Sequence, residues 1–191
     1  MKIDLNPNRA NYYTQTNNEL DPNISCQGTA TVQCLDIIFK HDLRQIEILT
    51  PYGQPEDDLR KYIFENADVQ AFFKRSHPGS AIPAPEWADV LVFAINKIYG
   101  RIICSFEGNM TPAKIKTDIS CGLPVMVSMR YWRPSRIPGH YISVVGFDGE
   151  NLIIDDPYKN FLLNQPDGYH CIYEPDNWQK HSKGYGIRFN S

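Results

Sequence analysis

Three short stretches of the chain carry side chains that could do chemistry together. The first is Cys26, which follows Ser25 and opens the segment CQGTATVQCLDIIF. Ser25 is a reasonable N-cap, so a helix is expected to start at Cys26. A thiol there faces unsatisfied amides and the positive end of the helix dipole, and both favour the thiolate. A thiolate near neutral pH is a nucleophile, and the Cys26 backbone N–H could help hold an oxyanion. The bland alternative is a buried structural cysteine. The second stretch is Gly139-His140 at the head of HYISVVGFD, after the loop PSRIPG. A histidine at a strand edge is usually just a polar residue, but loops at strand ends commonly carry catalytic groups. The third is Asp155-Asp156-Pro157, where two acids end the apolar run NLIIDD. An Asp before Pro is ordinary turn chemistry.

Hairpin geometry joins the second stretch to the third. If HYISVVGF and NLIID pair through the Asp148-Gly149-Glu150 turn, the head of one strand lies beside the tail of the other. Counting outward from the turn brings His140 and Asp156 to neighbouring positions on one edge. A register shift of one residue would put Asp155 in that place instead. An imidazole held by a carboxylate is what a thiol needs as its base. The other histidines compare poorly. His41 follows the first helix, His77 sits in a Pro-Gly turn, His170 begins a late strand and His181 lies in a polar stretch. None of them is expected to face an acid across a hairpin, and no metal-ligand spacing is seen. The chemistry calls for no metal and no cofactor.

The elements that must position these groups are legible in outline. Residues 1–25 are rich in Asn, Asp, Thr and Pro and read as a loop or arm. In the first helix Ala30, Cys34, Leu35 and Ile38 fall on one face, with Gln27, Thr31 and Asp36 largely elsewhere. QPEDDLRKYIF has a proline and acids suited to a helix N-terminus. EWADVLVFAINKIYG carries an apolar stripe and a terminal glycine, and TPAKIKTDISCG has Thr111 as cap, Pro112 at the first position and Gly122 past the end. After Gly122 the runs PVMVSMRY, HYISVVGFD and NLIIDD are Val-, Ile- and Tyr-rich, and HCIYEPDNW and GYGIRFNS offer two more short strands. Helices first and antiparallel strands after make an α+β layout, expected here as a single domain over residues 1–191.

Composition excludes several classes. The hydrophobic fraction is 42% and the charged fraction 21%, enough apolar material for a core. Net charge is -3, with no basic run, so nucleic-acid binding is not expected. No segment reaches the length of a membrane span, and MKIDLNPNRANYY lacks a signal-peptide core, so a soluble chain is expected. The cysteine count of 5 is odd and no CxxC spacing occurs, which favours free thiols. Compartment and oligomeric state are left open by the sequence.

With these residues in place, the chain resembles the papain-like peptidases related to the bacteriocin-leader (double-glycine) processing enzymes, in their broad bacterial and phage branch. The likeness rests on Gln15 ahead of a Cys26-led helix, on GLPVMVSMRY, and on GHYISVVGFDGENLIIDDPY, and it spans residues 13–160. It implies a papain-like α+β fold with N-terminal helices packed on an antiparallel sheet. It implies a cysteine peptidase in which Cys26 is nucleophile, His140 general base, Asp156 the orienting acid and Gln15 a side-chain donor to the oxyanion hole. The segment TNNELDPNIS between Gln15 and Cys26 must bulge, and Asn17 or Asn18 is the alternative donor. The implied partner is a peptide, with the peptide of peptidoglycan as a variant. The competing class is a papain-like module that binds peptide without cutting it, and acyl transfer to an amine would use the same triad.

Overall fold

A computed structural model describes residues 1–20, 22, 25–40, 54–130, 139–160 and 162–190. His41 and residues 131–138 lie outside the described residues. The helices are α1 (Cys26–Ile38), α2 (Pro55–Glu65), α3 (Ala67–Ser76), α4 (Ala88–Tyr99), α5 (Pro112–Ser120) and α6 (Pro175–His181). The strands are β1 (Lys2–Asp4), β2 (Cys104–Glu107), β3 (Val125–Met129), β4 (His140–Asp148), β5 (Asn151–Asp155), β6 (Cys171–Tyr173) and β7 (Ser182–Phe189). They form one antiparallel sheet in the order β2-β7-β3-β4-β5-β6, and β1 pairs with the far end of β4, beyond the reach of β3. The α+β expectation holds. The arm does not stay a loop, because residues 2–4 complete the sheet and residues 9–11 and 15–17 form 3-10 turns.

Local chemistry explains most boundaries. The Thr111 hydroxyl accepts the Lys114 N–H at 3.3 Å and Pro112 opens α5, as its sequence suggests. α4 stops at Gly100, whose φ of 62° is left-handed. Asn66 accepts the Asp68 and Val69 N–H groups and starts α3, a helix with only one fully buried side chain and hence little periodicity to read. Ser25 stands at the N-cap position of α1 but makes no side-chain cap bond, because its hydroxyl receives the Asn18 amide instead.

The first helix departs from the one-sided pattern. Gln27, Thr31, Gln33 and Asp36 are as buried as Ala30, Cys34 and Leu35. Helix α1 lies between the sheet and the other helices, so both its faces are inside. Its polar groups are consumed locally. Gln33 accepts the Tyr13 N–H and donates to the Asn11 carbonyl, and Ser143 of β4 donates to the Ala30 carbonyl at 2.9 Å. A Cβ on Gly28 would sit 3.4 Å from the Glu56 carbonyl, an ordinary contact, so α2 lies close against the start of α1. One face of the sheet, through Met126, Ile187 and Phe189, packs under α1 to α4. The other, through Val125, Val127, Ile142, Val144, Leu152 and Ile154, packs against Ile115 and Ile119 of α5 and Trp178 of α6. No helix among the described residues is long and apolar enough to cross a membrane.

Glu56 tests this packing. It is buried, its Oε2 has no hydrogen-bond partner among the described residues, and burial pushes its carboxyl up to about 7. A carboxyl raised in the folded state stabilises fully below its unfolded value, and that contribution is lost as pH rises through about 7. Thermal unfolding followed from pH 5 to pH 8 should show falling stability, and Glu56→Gln should flatten that fall by on the order of 2 kcal/mol.

Candidate active site

His140 is the first residue of β4 and Asp156 is the first beyond β5. Both are fully buried, and His140 Nε2 lies 2.7 Å from Asp156 Oδ1. A β-bulge makes this pairing possible. From the turn outward the register runs Asp148 with Asn151, Phe147 with Leu152 and Gly146 with Ile153. It then shifts by one, to Val144 with Ile154 and Ser143 with Asp155, leaving Val145 as the extra residue. Without the bulge, Val144 would face Asp155 and the acid on the His140 face would be Asp155. With it, Asp155 stands opposite Ser143 on the α1 side, and one step further Asp156 falls on the face shared by His140, Ile142 and Val144.

Asp155 accordingly belongs to a different cluster. Its carboxylate takes the Asn6 amide at 2.6 Å and the His170 N–H at 3.1 Å, and burial still pushes it up to about 6. Asp156 is held in its own turn. Oδ1 also accepts the N–H groups of Tyr158 (2.9 Å) and Lys159 (3.3 Å). The Asp156 N–H donates to the Gly168 carbonyl, and a Cβ on Gly168 would stand 1.9 Å from the Asp156 carbonyl oxygen, so glycine is required for that approach.

Cys26 opens α1 as expected and is 1% exposed. Its sulfur accepts the Tyr141 N–H at 3.4 Å, which sets it against the peptide unit joining His140 to Tyr141. The helix start and the head of β4 are thus in contact. The next residue, Gln27, with its amide oriented to satisfy both ends, donates to the Pro85 and Glu86 carbonyls and accepts the Ala88 N–H. Arg60 clamps Glu86 from the other side at 2.8 Å.

The segment before Cys26 is tied to the same turn. Tyr12 donates its hydroxyl to the Asp156 carbonyl at 2.5 Å, and the Gln15 N–H and the Thr14 hydroxyl both donate to the Pro157 carbonyl. Gln15 is buried. Its Nε2 donates to the Pro22 carbonyl at 2.6 Å, and its Oε1 has no partner among the described residues. An amide nitrogen has two hydrogens, so one donor position of Gln15 is used by Pro22. Asn17 is exposed, and Asn18 commits its amide nitrogen to the Ser25 and Thr29 hydroxyls at 2.8 and 3.1 Å. Asn18 therefore clasps the helix start.

A cleft of about 500 Å³ opens over Cys26, bordered by Trp87, Phe106, Gly139, Tyr141 and Tyr185 among others. Its far wall holds a pairing that hairpin reasoning did not anticipate. His77 does face an acid, with both Asp89 carboxylate oxygens within 3.0 Å of Nε2. His170 likewise lies 3.3 Å from Asp4. Both acids come from elements distant in sequence or outside the β4–β5 hairpin, so no local signal marks them. The carbonyl anchor Tyr12 and the close-packed Gly168 were also illegible, since each acts on Asp156 from more than ten positions away. All five cysteines are free thiols.

Comparison with known proteins agrees with this fold. No curated protein matches the sequence. The crystal structure of a candidate C39-like peptidase from Bacillus anthracis superposes with a TM-score of 0.59 at 15% identity, covering 100% of this chain and 98% of that one. The sequence pattern of the Peptidase_C39 like family matches residues 8–185. The chain belongs to the Peptidase_C39 like family, and its fold is that of a papain-like cysteine peptidase.

Proposed function

We propose that the protein is a thiol hydrolase of peptide bonds that works through Cys26, His140 and Asp156. The observation that carries the reading is the buried 2.7 Å contact between His140 and Asp156, with the Cys26 sulfur on the adjoining peptide unit. The carboxylate accepts from Nε2, which assigns the proton to that nitrogen and the role of base to Nδ1. His140 takes the Cys26 proton, and the thiolate attacks the substrate carbonyl carbon. The resulting oxyanion is held by the Cys26 N–H at the helix start and by the second hydrogen of the Gln15 amide. Collapse expels the amine, protonated by His140, and leaves a thioester. Water, deprotonated by His140, then hydrolyses the thioester and restores the thiol.

Cysteine chemistry, the orienting acid and the oxyanion donor are each open to test. Cys26→Ala should abolish turnover of a peptide substrate with little change in circular dichroism, while Ala at Cys34, Cys104, Cys121 or Cys171 leaves measurable activity. In a Cys121→Ser background, iodoacetamide at pH 6 should label Cys26, and Cys34 and Cys104 should resist, because burial pushes each of those thiols up to about 12. Full activity in Cys26→Ala sinks the reading.

The bulge makes the second test sharp. Asp156→Ala should lower kcat by at least about 100-fold, whereas Asp155→Asn should act on stability and leave kcat within a few-fold. The reverse pattern would mean that the orienting acid is misassigned. For the oxyanion donor, Gln15→Ala should lower kcat by about 100- to 1,000-fold with a smaller change in KM. Asn17→Ala should stay near wild type. A severe Asn17→Ala with a mild Gln15→Ala would move the donor to the later position.

A further inference from the structure

The cleft over Cys26 has a lining that the hydrolytic reading leaves unused. Ile82 is 41% exposed and Phe106 is 49% exposed, and both border it. Large apolar side chains that remain in water at the mouth of a site mark a surface that something else covers. The Phe106 ring lies 5.8 Å from that of Tyr185, and Tyr141, beside the sulfur, forms the inner end of the same wall.

The opposite wall is fixed more elaborately. Trp87 donates its indole N–H to the Ile82 carbonyl at 3.4 Å and stacks on His77, with ring centroids 3.7 Å apart. His77 is in turn gripped by both oxygens of Asp89. The carboxylate holds the imidazole, the imidazole holds the indole face, and the carbonyl holds the indole edge, so Trp87 has little freedom to collapse into the space. The cleft has a volume of about 500 Å³, room enough for a large side chain. Its lining is mostly apolar, although Glu86, Asp89 and Lys183 also border it, and displacing water from the apolar part with an apolar group is favourable.

We propose that this cleft takes one bulky apolar side chain of the substrate, aromatic or branched aliphatic, next to the bond that is cut, between Trp87 on one side and Phe106 with Tyr185 on the other. His77, fixed by Asp89, is the positioning residue that keeps the Trp87 wall upright. The inference rests on the hydrolase reading and adds the substrate class to it.

The test uses internally quenched octapeptides carrying Phe, Leu, Lys, Glu or Gly at one of the two positions on either side of the cut. At one of these positions the Phe and Leu peptides should be cut with kcat/KM at least about 100-fold above the Gly peptide. Phe106→Ala should lower that Phe-to-Gly ratio by about 10-fold. His77→Ala should raise KM for the Phe peptide more than it lowers kcat, and His77→Phe, which keeps a stacking ring, should restore it. Preference for Gly or for a charged residue at every position overturns the inference, as does an equal loss on all peptides in Phe106→Ala. The same peptides titrated onto Cys26→Ala protein separate the two readings. Binding that favours Phe over Gly, with no cleavage by the wild type, keeps the subsite and removes the hydrolase. Cleavage by the wild type with no such preference in binding removes the subsite and keeps the hydrolase.

Discussion

A two-stranded hairpin with perfect alternation would present Asp155, and not Asp156, on the face where His140 stands. The extra residue at Val145 reverses that parity halfway along β4, and the rest of the site depends on it. It delivers an acid to the imidazole and frees Asp155 for a separate cluster with Asn6 and His170. It also keeps both faces of the hairpin apolar where they must be. Ile142, Val144, Leu152 and Ile154 pack toward α5, while Val145 and Ile153 meet Ile37 of α1. Removing the bulge would rotate one half of this set into the wrong core, so fold and site are specified by the same residue.

Burying a carboxylate is costly unless donors replace its water. Asp156 gathers three on Oδ1, one from His140 and two from the turn that Pro157 begins. The backbone of that turn is then fixed from outside, by Gly168 against its N–H and by Tyr12, Thr14 and Gln15 on its carbonyls. The strap that carries Gln15 is thus fastened to the turn whose Asp156 meets His140. A shift in one would be transmitted to the other, so Gln15 and His140 keep a common frame although they are distant in the chain.

Sequence reasoning singled out Cys26, His140 and Asp156 because each sits at an element boundary with a local signature: a helix start, a strand head, an Asp-Pro turn. The hairpin turn made the latter two neighbours, but the choice between the two acids rested on a bulge whose one local trace is Gly146, next to the extra residue Val145. The burial of α1 on all sides was missed because Gln27, Thr31 and Asp36 have polar partners inside the fold, and a pattern of side-chain types cannot distinguish a satisfied polar group from a solvated one. β1 was missed because three residues are too few to show alternation. The His77–Asp89–Trp87 wall joins the end of α3 to the start of α4, and its geometry arises only once those helices are packed.

Burial alone does not mark a nucleophile, and the other thiols show why. Cys104 is as buried as Cys26, yet its sulfur faces oxygen acceptors, the Asn96 side chain at 3.6 Å and the Val92 carbonyl at 4.0 Å. Cys171 points at the Gly168 carbonyl at 3.2 Å. An acceptor stabilises S–H and repels S⁻; burial pushes both thiols up, and at Cys171 the nearby carboxylates of Asp156, Asp155 and Asp167 add to it. Cys26 meets the opposite surroundings: a backbone N–H aimed at its sulfur and the positive end of α1 behind it. These dipoles are fixed by the backbone, so a negative charge on this sulfur would find its partners already oriented. The difference lies in the sign of the neighbouring dipoles at equal burial. Among the described residues, only Cys26 has both that sign and a histidine held by an acid on the adjoining peptide.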